Sequence, residues 1–178
     1  MTFTLRFARM SDVDALTPLM DRAIRHLLEP FLPLEAVEAS FDIMGLDTQL
    51  IADATYFAVE DSGQIIGCGG WSRRATLFGG DHTSGRSAAL LDPKTDAARV
   101  RAMYTDPSHV RRGVGRVILG ACEAAAAREG FSRVQLAATL SGEPLYRACG
   151  YEVIERFTSP TRAHIDIPLL RMEKALPG

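Results

Sequence analysis

Three arginines and two glycines share six consecutive positions, Arg111-Arg112-Gly113-Val114-Gly115-Arg116, and residues of those types at that spacing can hold an anion. Upstream, Val100 to Thr105 are apolar, β-branched or aromatic enough for a strand, which Asp106-Pro107 ends because proline cannot donate to a sheet ladder. Downstream, Val114, Val117, Ile118, Ala121 and Ala125 fall on one face of a helix. The cluster therefore occupies a strand-to-helix turn, where the helix's first N–H groups are unpaired and carry a partial positive charge. Without β-carbons, Gly113 and Gly115 let a bulky diphosphate touch the backbone. The pattern suits a pyrophosphate.

Two common nucleotide sites do not fit. A dinucleotide fingerprint needs a third glycine, where this chain has Ile118, and an acidic residue ending the next strand, where it has Ala137-Ala138. A Walker A loop needs Gly-Lys-Ser/Thr, but Arg116-Val117 follow Gly115.

The run Val110-Arg-Arg-Gly-Val-Gly115 resembles the acetyl-CoA signature of the GNAT N-acetyltransferase superfamily, Arg/Gln-x-x-Gly-x-Gly/Ala, with Val110 in place of the first residue. Met103-Tyr-Thr-Asp-Pro107 is similar to the Leu-Tyr-Val-x-Pro strand end that precedes the signature, and Pro144-Leu-Tyr-Arg-Ala-Cys-Gly-Tyr151 to the family's Phe-Tyr-x-x-x-Gly-Phe segment. These motifs, in family order and spacing, cover roughly the second half of the chain. The resemblance implies an α/β (α+β) GNAT acyl-CoA N-acyltransferase fold, with a mixed central sheet of six to seven strands flanked by helices. It implies acetyl-CoA as cosubstrate, with no metal. It also implies two central strands that splay apart to admit the pantetheine arm, and first helices that form one wall of the acceptor pocket.

Carried onto this sequence, the resemblance assigns cofactor binding to Met103, Tyr104, Thr105, Arg111, Arg112, Gly113, Val114, Gly115 and Arg116, and catalysis to Tyr146. Most phosphate bonds in the family come from main-chain N–H groups, so Val110 leaves the cradle intact. The acceptor would be a primary amine of a small molecule or peptide, attacking the thioester directly. Homodimers are common in the family, and a homodimer is compatible with it.

The chemistry sets its own demands. A fixed backbone N–H near Met103 or Tyr104 could stabilise the charge developing on the carbonyl oxygen. The leaving thiolate, of parent pKa about 8.5, benefits from a proton donor, and a tyrosine of pKa about 10 keeps its proton at neutral pH. By resemblance Tyr146 is that donor; the alternative is that it only packs. An alkylamine of pKa about 10.4 must lose a proton before it attacks. Glu60, Asp106 and His109 are the candidate bases, with relay through water as an equal alternative, and Arg101 and Tyr104 either face the acceptor or lie on the sheet surface. Cys149 lacks the histidine arrangement of a covalent nucleophile. Two other classes stay open: a non-catalytic acyl-CoA-binding regulatory module, and a phosphate-binding interaction domain.

The remainder of the chain must position this site. At 178 residues it suits a single domain, 1–178, comprising an N-terminal strand, helices and hairpin (1–75), a long loop (76–97), and a cofactor-binding core with C-terminal strands (98–178). A net charge of −2 argues against a nucleic-acid binder. The three widely spaced cysteines suggest neither a disulfide framework nor a metal quartet, and read as buried thiols. Residues 1–10 contain no apolar leader and no run could span a bilayer, so no membrane partner is expected and the cytoplasm is the default.

In order, Phe3 to Ala8 reads as a strand, and Ser11-Asp-Val-Asp14 as a capping box opening a helix that Pro18 kinks or restarts. A second helix is expected over Leu34 to Met44, then a turn over Thr48 to Ala52. Phe31, Phe41 and Met44 read as core packing. Thr55–Glu60 and Ile65–Trp71 form a hairpin whose Gly67, Gly69 and Gly70 suggest a bend or close approach; Trp71 either floors a pocket or anchors the core. The loop reads as a mobile cover near the acceptor, with His82 as a solvated loop residue, the alternative being a substrate-binding group or base. Arg133–Ala138 returns as a parallel strand, Gly142–Cys149 as a short helix, and two paired strands finish the chain.

Overall fold

Seven strands form one mixed sheet in the order β1-β2-β3-β4-β5-β7-β6 in the computed structural model, which describes residues 3–177. Met1 and Thr2, part of the segment read as lacking a leader, lie outside the described residues, as does Gly178. The strands are β1 (Thr4–Phe7), β2 (Tyr56–Asp61), β3 (Gln64–Ser72), β4 (Ala98–Thr105), β5 (Arg133–Ala138), β6 (Glu152–Ser159) and β7 (Ile167–Ala175). Helices α1 (Val13–Leu28), α2 (Leu34–Ser40), α3 (Thr48–Ala52), α4 (Val114–Arg128) and α5 (Glu143–Ala148) flank it. Among the described residues no helix is long and apolar enough to cross a membrane.

The helical periodicity has a direct outcome in packing. Val114, Ile118, Leu119 and Cys122 of α4 are buried against Val59, Trp71, Val100 and Val134 of the sheet. Leu16, Leu19 and Met20 of α1 join Leu50, Tyr56 and Ala58 in a second cluster. Trp71 is thus a core anchor, edge-on to Phe131, and not a pocket floor.

Several local expectations need correction. Ser11 does not cap α1; the Arg9 N–H donates to Asp12 Oδ2 at 2.7 Å, so the box sits two residues earlier over a single tighter turn. α1 runs through Pro18, which lies on the exposed side of the helix. α2 stops at Ser40, whose hydroxyl bonds back to the Ala36 carbonyl at 2.7 Å and competes with continuation. Thr48 to Ala52 is a short helix, because the Asp47 side chain caps it by accepting from the Gln49 N–H. Phe31 is 49% exposed rather than core.

The expected parallel pairing of β4 with β5 is present but brief: it joins Ala98 to Val134 and Arg99 to Gln135 and goes no further. Beyond Arg99 the two strands part. β5 bonds instead to β7 along its whole length.

Candidate functional site

β4 is bent where it leaves β5. Gly70 lies opposite Arg101 and Cys68 opposite Tyr104, so Ala102 and Met103 together face the single residue Gly69. Ala102 takes a φ of +50°, a left-handed geometry costing about 1–2 kcal/mol for a residue with a side chain. The Tyr56 hydroxyl donates to the Ala102 carbonyl at 2.7 Å and steadies the bulge. Nothing in Ala102 itself betrays this, but the glycines opposite do: a β-carbon on Gly69 would fall 2.7 Å from Met103 Cγ and 2.8 Å from Ile118 Cγ2.

The parted strands open a cleft of about 640 Å³, counted to its open mouth. Its wall includes Val100 to Tyr104 from β4, Leu136 and Ala137 from β5, Tyr146 from α5, Ile43 to Gly45 after α2, and Leu77 to Gly79 from the loop. Tyr146 is 9% exposed and stacks edge-on to Tyr151 at 5.9 Å, with no hydrogen bond from its hydroxyl to a described residue. Burial pushes that hydroxyl above its ordinary pKa. Tyr104 crosses the cleft, its hydroxyl accepting from the Gly45 N–H at 2.9 Å, and burial raises it to about 12.

Arg101 is buried at the back. Its Nη2 donates to Asp47 Oδ2 at 2.8 Å and to the Gly79 carbonyl at 2.5 Å, while Nε has no partner among the described residues. Burial lowers its pKa and Asp47 opposes that shift. Arg86 reaches the other oxygen of Asp47 at 3.0 Å. Residues 76–97 are therefore tethered, not structureless. Ala75, Thr76 and Leu91 bond across to Ala89, Ser87 and Arg73, and His82 Nε2 lies 2.5 Å from the Phe41 carbonyl, so His82 bridges two loops.

The three candidate bases lie elsewhere. Glu60 is bound by Arg6 at 2.6 Å, and His109 Nδ1 rests 2.8 Å from Ser108 Oγ. Partial burial opposes ionisation of Asp106, but bonds from Ser108 and Arg22 outweigh it and hold the carboxyl below its usual range. None of the three lines the cleft.

The start of α4 leaves several main-chain N–H groups unbonded among the described residues. Arg111 and Gly113 adopt φ of +60° and +89°, and the first intrahelical bond is Val117 N–H to the Gly113 carbonyl at 3.0 Å. The N–H groups of Gly113, Val114, Gly115 and Arg116 have no acceptor among the described residues. Space in front of Gly113 is open, since a β-carbon there meets nothing within 4 Å. Gly115 works differently: a β-carbon would lie 2.7 Å from Leu145 Cδ2, so its smallness seats α5, and with it Tyr146, against α4. Arg111 and Arg116 are exposed, while Arg112 sits 3.5 Å from Asp61 and over the Phe3 ring. Val114 is buried in the core, leaving its N–H as its contribution. Met103 and Thr105 lie on the stretch of β4 that β5 does not pair.

Known proteins share this fold. The sequence matches the family model described as the acetyltransferase (GNAT) family over residues 21–151. No curated protein matches in sequence. A GCN5-related N-acetyltransferase (aminotransferase, class-II) from Rhodopseudomonas palustris superposes with a TM-score of 0.72 at 19% identity, over 99% of this chain and 97% of that one. PaiA N-acetyltransferase from Thermoplasma acidophilum, solved with coenzyme A, gives 0.66 at 13% identity over 98% and 99%. Ribosomal-protein-S18-alanine N-acetyltransferase from Escherichia coli gives 0.60 at 16% identity over 99% and 96%.

Proposed function

The chain belongs to the acetyltransferase (GNAT) family, and on that premise we propose that it moves the acetyl group of acetyl-CoA to a primary amine by direct attack, with Tyr146 protonating the leaving thiolate. The observation that carries this reading is the cleft where β4 and β5 part, with Tyr146 in its wall and the unbonded N–H groups of α4 beyond it.

The residues suit the ligand. The N–H groups from Gly113 to Arg116 would hold the diphosphate, with the charges of Arg111 and Arg116 beside them, and the main chain of Met103 to Thr105 would take the pantetheine amides as an added strand does. Bound acetyl-CoA supplies the thioester. At its carbonyl, an N–H of the Ala102 bulge can meet developing negative charge without reorganising. The Tyr146 hydroxyl, held protonated by its surroundings, supplies the proton the sulfur needs. The acceptor is an amine of a small molecule or a peptide.

Titrating the protein with acetyl-CoA, following its melting temperature, and assaying free thiol with an amine panel tests the proposal. It predicts saturable binding and acceptor-dependent thiol release. A second reading, a non-catalytic acyl-CoA-binding module, is favoured by one feature: no aspartate, glutamate or histidine lines the cleft. Binding without thiol release at any amine would establish it.

A further inference from the structure

We infer that the acceptor is a weakly basic primary amine on an apolar body, an α-amino group in particular, and not a lysine-type or polyamine nitrogen. The inference rests on the acetyl-transfer reading and names its substrate class.

The cleft wall makes the case. Besides residues of β4, β5 and α5 it is lined by the apolar side chains of Ile43, Met44, Leu77, Phe78 and Leu169, against which an acceptor's body could lie. It offers no carboxylate to hold an ammonium, and no imidazole to take a proton from one. The titratable groups in the wall are Arg101, Tyr104 and Tyr146. Both hydroxyls are pushed up, Tyr104 to about 12, so neither is a phenolate that could act as a base at neutral pH.

The charged groups behind the wall offer a cationic substrate no partner. Asp47 is shared by two guanidiniums, buried Arg101 at 2.8 Å and half-buried Arg86 at 3.0 Å, so both its oxygens are taken and neither is left to hold an ammonium. Asp81 approaches Arg86 at 3.6 Å, but its side chain is 45% exposed and water screens it. A nearby cation and an apolar wall both favour the neutral form of an amine. A second ammonium on the same molecule would be desolvated without a partner. The amine must therefore arrive as the free base, its nitrogen bonding to the carbonyl carbon as the C–S bond breaks. The nitrogen then sheds one proton to water, the sulfur gains one from Tyr146, and water returns a proton to the Tyr146 phenolate. Near pH 7 an α-amino group of pKa about 7.7–8.0 supplies more than about a hundredfold more free base than an alkylamine of pKa about 10.4.

The test uses the whole protein with saturating acetyl-CoA and a free-thiol readout at about pH 7.5, comparing leucine amide, Nα-acetyl-lysine methylamide and spermidine. Leucine amide should show a kcat/KM at least about tenfold above the other two, the free-base advantage being partly offset by its lower intrinsic nucleophilicity. An equal or better rate with the lysine derivative or spermidine overturns the inference and leaves acetyl transfer standing. Acetyl-CoA binding with no release from any acceptor overturns both. In a second arm, Met44→Glu introduces a carboxylate into the wall and should narrow the preference severalfold; an unchanged ratio in the folded variant contradicts the electrostatic argument.

Discussion

The cradle at Arg111 to Arg116 is made of main-chain N–H groups from one short run of sequence, whereas the cleft beside it takes side chains from segments scattered between Ile43 and Leu169. The cradle is open to water, and its geometry depends on two left-handed residues and a helix start. The cleft is walled on several sides, and its geometry depends on buried or half-buried tertiary bonds: Arg101 to Asp47, Tyr104 to Gly45, Tyr56 to Ala102. On the proposed reading such a site divides its labour: the local half would bind any ligand with the right diphosphate, and the assembled half would decide what reacts. Damage to the cleft should therefore cost stability or turnover, and damage to the cradle should cost chiefly affinity.

The strongest challenge to that division is Asp47→Asn. It leaves Arg101 and Arg86 without their carboxylate, and removing one partner of a buried pair costs about 3–5 kcal/mol. For a chain of this size that predicts a drop in melting temperature of about 10 °C or more. A drop below about 2 °C by thermal denaturation would mean the cleft is not held by this pair. Next in size is Tyr146→Phe, expected to lower kcat by about a hundredfold to a thousandfold while KM for acetyl-CoA and melting temperature stay put. Because burial raises the Tyr146 pKa, the group stays protonated as pH rises, so kcat should not fall between about pH 8 and 10 on its account. Unchanged kcat in the variant would reduce Tyr146 to packing.

The cradle gives the contrasting result. Gly113→Val puts a branched side chain into open space in front of the N–H groups. Losing one or two charge-assisted hydrogen bonds, about 3 kcal/mol together, weakens acetyl-CoA binding by about a hundredfold. At a left-handed φ of +89° a branched residue costs about 1–2 kcal/mol, so the variant should also melt a few degrees lower, well short of the Asp47→Asn deficit. Calorimetric titration beside a melt separates the two effects; full affinity would show that the diphosphate rests elsewhere.

The same contrast explains what could be read in advance. The strand, the turn glycines and the helix of the cradle are neighbours in sequence, so period and residue type expose them, and the helix does begin at Val114. Sequence gave both glycines one role, however, and missed that Gly115 accommodates Leu145, a partner thirty residues away. In the cleft, spacing arguments had nothing to act on. Asp47 and Arg101 are charged residues on separate segments, and only the fold shows that each buries the other. Met44 packs against the core as expected and also lines the wall, and His82 is exposed as expected while its ring also bonds to the Phe41 carbonyl, a partner that spacing does not reveal. The candidate bases failed for the same reason: Glu60, Asp106 and His109 lie near the right elements, but their side chains are committed elsewhere.

The smallest effect concerns how each half is held. The turn leading into the cradle is fixed by Asp106, which accepts from the Ser108 N–H and hydroxyl and from Arg22, a side chain that is 55% exposed. Since the folded carboxyl titrates below its unfolded value, its contribution is complete above the unfolded pKa of about 3.9 and is lost as pH falls through the folded one. Asp106→Asn should therefore melt a few degrees lower at neutral pH, and the gap to the parent protein should close as the solution is made acid. Salt should narrow the same gap, because water and ions reach Arg22, whereas the deficit of Asp47→Asn should barely respond to salt in its buried setting. Melts of both variants at low and high ionic strength decide the matter. Equal salt sensitivity would mean that the buried and exposed halves of the site are not held by different physics after all.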